Sequence, residues 1–96
     1  MFTRIVKMEF IPERVDDFIA NFEKEKEKVR NQPGCRSLVL YRDKTKTNVF
    51  FTYSVWEDES DLERYRNTAF FKGVWQFTKQ LFNAKPMAWS VDEVVF

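Results

Sequence analysis

Residues 2–10, FTRIVKMEF, alternate in character: Phe2, Val6, Met8 and Phe10 fall on one side, Thr3, Lys7 and Glu9 on the other. A period of two predicts a strand. Pro12 suits the first turn of a helix, and Glu13 sits well near its positive end. Val15, Phe18, Ile19, Phe22 and Val29 then recur at helical spacing, which predicts a helix over 12–31 that Pro33-Gly34 stops. Within it, EKEKEK at 23–28 places opposite charges at i,i+3 and like charges at i,i+4. These nearly cancel, and the run reads as a solvated helix face.

Residues 35–42, CRSLVLYR, predict a second strand, DKTKT at 43–47 a polar turn, and NVFFTYSVW at 48–56 a third strand that closes a hairpin. Asp58 or Ser60 can cap the next helix, and Ser60 with Glu63 forms a potential capping box. Leu62 and Tyr65 begin its apolar side, and Asn67-Thr68 predicts a break. The helical pattern resumes over 68–83 until Asn83 and Pro86 close it, and MAWSVDEVVF at 87–96 predicts a fourth strand. The order βαββαβ is that of a ferredoxin-like α+β fold, with a four-stranded antiparallel sheet in one domain over 1–96.

Such a sheet carries both helices on one face and should leave the other polar. The third strand does not comply. Phe50, Thr52, Ser54 and Trp56 share one face, while Val49, Phe51, Tyr53 and Val55 make the other almost wholly apolar. Leaving four such side chains in water forfeits roughly 1.5–3 kcal/mol each. Two sheets packed face to face about a two-fold axis remove that cost, so a homodimer through Val49, Phe51, Tyr53 and Val55 is expected.

Composition narrows the chemistry. The chain has no histidine, which removes histidine bases, histidine triads, His-containing zinc sites and proximal-histidine haem ligation. Its one cysteine, Cys35, cannot close an internal disulfide and fits an inert thiol in a reducing compartment. A net charge of +1 with interspersed signs gives no basic stripe for nucleic acid. The amino terminus lacks a signal-peptide apolar core and no run is long enough to span a membrane, so a cytoplasmic location is expected. Aromatic residues reach 18%, eleven of them Phe, enough for an aromatic core, an aromatic-lined pocket, or both.

The segments PGC at 33–35, VWEDESDLERY at 55–65 and TAFFKG at 68–73 resemble the antibiotic biosynthesis monooxygenase (ABM) superfamily over the whole chain. The resemblance implies a dimeric α/β barrel. It also implies oxygenation of quinols or anthrones by dioxygen without metal or flavin, although related members degrade haem. Many members carry a histidine in the helix after Trp-Glu, where this chain has Tyr65. The axial histidine of the haem-degrading branch corresponds to Trp75, and an asparagine of some cofactor-free oxygenases corresponds to Thr52. The fold therefore transfers, without a matching catalytic set.

No cofactor or metal is called for on this reading, and the ligand is a small hydroxylated aromatic. The alternative is a non-catalytic dimer of the same fold that binds a hydrophobic ligand or a protein partner. The candidate catalytic residues are Trp56, Tyr65 and Thr52, and the candidate ligand contacts are Phe50, Ser54, Phe71, Trp75 and Tyr41, with Arg36 a further polar contact. Trp56 reads as well as core as it does as a site residue, and Trp75 reads more readily as core. Tyr65, with an ordinary phenol pKa near ~10, is a poor base unless its surroundings lower that value. No carboxylate stands out as a base.

Overall fold

The computed structural model describes residues 1–96. The elements run β1 (Phe2–Glu9), a 3₁₀ turn (Pro12–Arg14), α1 (Val15–Arg30), β2 (Cys35–Arg42), β3 (Val49–Trp56), α2 (Glu59–Arg66), α3 (Ala69–Lys79) and β4 (Met87–Val91). All neighbouring strands pair antiparallel in the order β2-β3-β1-β4, the ferredoxin-like arrangement expected. No helix is long and apolar enough to cross a membrane.

Local chemistry explains most boundaries. Pro12 opens the first helical segment as a 3₁₀ turn before α1 proper begins at Val15. Gly34 ends the α1–β2 turn with φ of +82°, and a Cβ there would overlap the Asp61 carboxyl. Two separate requirements therefore fix glycine at this position. The break at Asn67-Thr68 is real: Thr68 is the N-cap of α3, its Oγ1 accepting from Phe71 N at 3.0 Å.

Of the two caps expected for α2 only one is used, and two element ends differ from the sequence reading. The Ser60–Glu63 capping box does not form. Asp58 caps α2 instead, accepting from both the backbone and the hydroxyl of Ser60, and these bonds hold its carboxyl below the usual carboxylate value. The helical pattern through 83 stops at Lys79, because Phe82 leaves the helix to bridge Phe10, and Asn83 N donates to Glu9 O. The fourth strand ends at Val91 rather than 96. Val91 pairs with Thr3, and β1 has only Phe2 left beyond that point.

The helix-facing side of the sheet has two unlike ends. Around Phe10 and Phe50 the core is solid: Met8, Phe10, Val15, Phe18, Phe50 and Leu81 are all buried in one cluster. Phe10 stacks on Phe18 at 4.2 Å between centroids, and Phe50 meets Phe18 at 5.3 Å. Toward Trp56 the helices stand off from the sheet. On the outer face, Val39, Tyr41, Tyr53, Met87, Trp89 and Val91 remain exposed, with Tyr41 edge-on to Tyr53 at 5.1 Å. Val49 is an exception to the expected dimer face. It is already 2% exposed within one chain, its backbone tied on both sides to the 43–48 turn.

Candidate functional site

Between α1 and the α2–α3 pair, over the Trp56 end of the sheet, lies a cavity of about 350 Å³. That is within the usual range for small-molecule sites. Its floor comes from alternate residues of β1 and β3: Arg4 and Val6 on one strand, Thr52, Ser54 and Trp56 on the other. Period two brings these side chains to one face, and the antiparallel register sets Arg4 beside Ser54 and Val6 beside Thr52. Tyr65 forms the α2 end, and Phe71 and Trp75, one helical turn apart on α3, form a wall.

Thr52, Ser54, Trp56, Tyr65, Phe71 and Trp75 therefore meet in one cavity as the sequence anticipated. Two expected contacts do not. Phe50 is sealed in the core at 2% exposure, because it sits at the other end of β3 beneath Phe10 and Phe18. Tyr41 pairs with Phe51 across β2 and β3, which turns it to the outer face of the sheet, away from the cavity. Arg36 is also elsewhere, in an exposed ion pair with Glu57.

The aromatic wall is ordered. Tyr65 stacks on Trp56 with centroids 5.3 Å apart and planes at 24°. Phe71 meets Tyr65 edge-on at 5.0 Å and lies nearly parallel to Trp75, at 9° and 6.1 Å. The buried Trp56 indole donates to Ser54 Oγ at 2.9 Å, which satisfies its N–H and fixes its plane. Burial, with a smaller contribution from nearby Cys35, pushes the Tyr65 phenol far above its usual value. It is therefore a neutral hydroxyl at working pH, able to donate but not to act as a base. No buried side-chain nitrogen or oxygen lacks a partner. The Tyr65 hydroxyl, bonded to no protein group, thus opens onto accessible space. Burial likewise raises the Cys35 thiol, consistent with an unreactive cysteine.

Four charged residues of the cavity escaped the sequence reading. Glu25, read as part of a solvated run, faces inward with its side chain 12% exposed, and Lys26 lies beside it. Lys26 also pairs, at 2.8 Å, with Glu23, whose own side chain is exposed. Arg4 comes from the floor and Arg66 from the end of α2. A signal for them existed: Glu25 falls on the Phe18–Phe22–Val29 stripe, and Arg4 falls between Phe2 and Val6 on the apolar side of β1. Each is a charge where the period calls for an apolar residue. No three His, Cys, Asp or Glu side chains cluster so as to hold a metal ion.

Comparison with known proteins agrees with this architecture. A crystal structure described as an antibiotic biosynthesis monooxygenase superposes with a TM-score of 0.92 at 21% identity, over 99% of this chain and 100% of that one. A conserved protein from Methanosarcina mazei gives 0.90 at 18% identity, over 98% and 94% of the two chains. At such identities the likeness establishes the fold. An uncharacterized protein of Synechocystis is 33% identical over 60 residues, which is 62% of this chain but only 41% of that longer relative. The sequence profile of the family described as antibiotic biosynthesis monooxygenase matches residues 1–74, the stretch that carries most of the cavity, and the chain belongs to that family.

Proposed function

We propose that the protein is a cofactor-independent monooxygenase for a small hydroxylated aromatic of the quinol or anthrone type. The observation that carries this reading is the aromatic-walled cavity beside Trp56, floored by the hydroxyls of Thr52 and Ser54. Such a reaction asks little of a protein beyond an apolar enclosure, a positioned donor and room for dioxygen. For an anthrone-like methylene it balances as R₂CH₂ + O₂ → R₂C=O + H₂O. The carbon loses four electrons, one oxygen atom enters the ring system, and the other leaves as water. In this scheme Trp56 and Phe71 orient the ring, Tyr65 donates to the developing oxyanion, and Thr52 supplies a second polar contact.

The same reading makes the working unit a homodimer, formed through the outer face of the sheet. Its support is the exposed apolar row of Val39, Tyr53 and Trp89 across three strands, with Phe51 and Val55 beside it. Oxygen-electrode traces with a panel of hydroquinones and anthrones test the activity. Uptake well above autoxidation is expected, falling at least about tenfold in Tyr65→Phe if the hydroxyl donates in the transition state. Saturable binding without uptake across the panel would leave a ligand-binding protein in place of an enzyme.

A further inference from the structure

Arg4 is an anomaly. It projects from an inward position of β1, and its one side-chain hydrogen bond is donated by Nη1 to Ser90 Oγ at 3.0 Å. No carboxylate lies within ion-pairing distance of it. A guanidinium has five N–H donors, so most of this one is uncommitted. Arg66 enters the same cavity from α2, with only Glu63 near it, loosely, at 3.9 Å. Two cations that share a partly closed space repel, and burial together with Arg66 pushes Arg4 below its usual value, though not far enough to discharge it.

The other charged groups do not cancel this field. From α1 come Lys26, bound to Glu23, and Glu25, whose only ion partners are Lys24 and Lys28 at 3.8 Å each. From α2 comes the neutral Tyr65. The cavity residues of β2, β3, α3 and 86–88 carry no titratable side chain. Of the cavity-lining residues Arg4, Lys26 and Arg66 are cationic and Glu25 alone is a carboxylate. Glu23 offsets Lys26 at 2.8 Å and Glu63 reaches Arg66 only at 3.9 Å, which leaves Arg4 with no carboxylate of its own.

We propose that the cavity takes its aromatic ligand as a phenolate, its oxygen held by the Arg4 and Arg66 guanidiniums. The proton of the phenol goes to bulk water, so no protein base is required for this step. The inference rests on the proposed ligand class, a hydroxylated aromatic, and not on turnover. It also accounts for Tyr65, whose raised phenol is unfit to be a base yet fit to donate to the same oxygen.

The test uses 4-nitrophenol, whose phenolate is yellow, titrated with pH in the absence and presence of saturating protein. An acid beside an arginine ionises about 1–3 pH units lower. The bound probe should shift down by about that much, and 4-nitroanisole, the same ring without the proton, should bind at least about tenfold more weakly. Arg4→Gln and Arg66→Gln should each shrink the shift, and Arg4→Lys should retain part of it. A bound probe that titrates like the free one, a shift that survives in the Arg4→Gln/Arg66→Gln double variant, or no saturable binding would overturn the inference. If the variants fail to fold, the wild-type comparison of nitrophenol with nitroanisole still decides it. A shifted probe without oxygen uptake refutes the oxygenase reading alone, whereas uptake without a shift refutes this one alone.

Discussion

One strand serves two opposite ends of the same sheet face. At Phe50, β3 contributes to a buried cluster with Phe10, Phe18 and Leu81, and six residues later, at Trp56, it floors a cavity. The difference lies in what stands at the inward positions. The solid end is wholly apolar, with Phe10, Phe18 and Phe50 packed among Met8, Val15 and Leu81. The hollow end has Arg4, Thr52, Ser54 and Glu25 among its aromatics, groups too small or too polar to fill the space between helices and sheet. Polar inward residues are what keep the layers from closing, so the position of the cavity is written in breaks of the hydrophobic period.

The largest expected effect contrasts the two ends directly. Phe50→Ala should lower stability by about 3–5 kcal/mol in urea unfolding, as for other buried Phe truncations, whereas Phe71→Ala should cost less than half as much because its ring already borders open space. Equal losses would mean that the cavity closes in solution. Next comes Ser54→Ala, which strands the buried Trp56 indole N–H and should cost about 1–3 kcal/mol, with a change in the tryptophan near-ultraviolet signal. Glu25→Leu runs the other way. Restoring the apolar stripe of α1 should raise stability by up to about 1 kcal/mol while weakening binding of any ligand that needs this corner of the cavity. A stability loss in that variant would make Glu25 structural.

The smallest effect is in pH. Tyr65 titrates higher in the folded chain than at the ordinary 10.0 it keeps when unfolded. A raised folded value means that the stability this burial gives is complete below pH 10 and is lost as pH rises beyond it toward the folded value. Urea midpoints should therefore fall in the alkaline range above about pH 10, and Tyr65→Phe should flatten that limb. An unchanged slope would show that the phenol is not buried against Trp56.

Much of this was legible in the chain. The strand and helix order, the kink at Asn67-Thr68 and the doubly apolar third strand follow from periodicity and capping chemistry, and Trp56, Tyr65, Phe71 and Trp75 were anticipated in one site. What stayed hidden depended on register and depth. Phe50 and Trp56 share a face, but sequence alone does not say where along that face the helices stand off. Tyr41 was placed with the cavity because its own strand gives no sign of which face pairs inward; only its alignment with Phe51 does. Val49 looked like interface until the 43–48 turn tied it down. Glu25 was masked by its neighbours, since a run of alternating charges conceals the one member that points into the protein.

Tryptophan fluorescence reaches the central claim most directly. Trp56 and Trp75 border the cavity, and Trp89 lies on the outer face. Trp89→Phe leaves only the two cavity reporters. Titration of that variant with a hydroquinone should give saturable quenching, strongly reduced when Phe71→Ala is added. Quenching that rises linearly without saturation, or that disappears with Trp89 alone, would contradict a ligand site at the hollow end of the sheet.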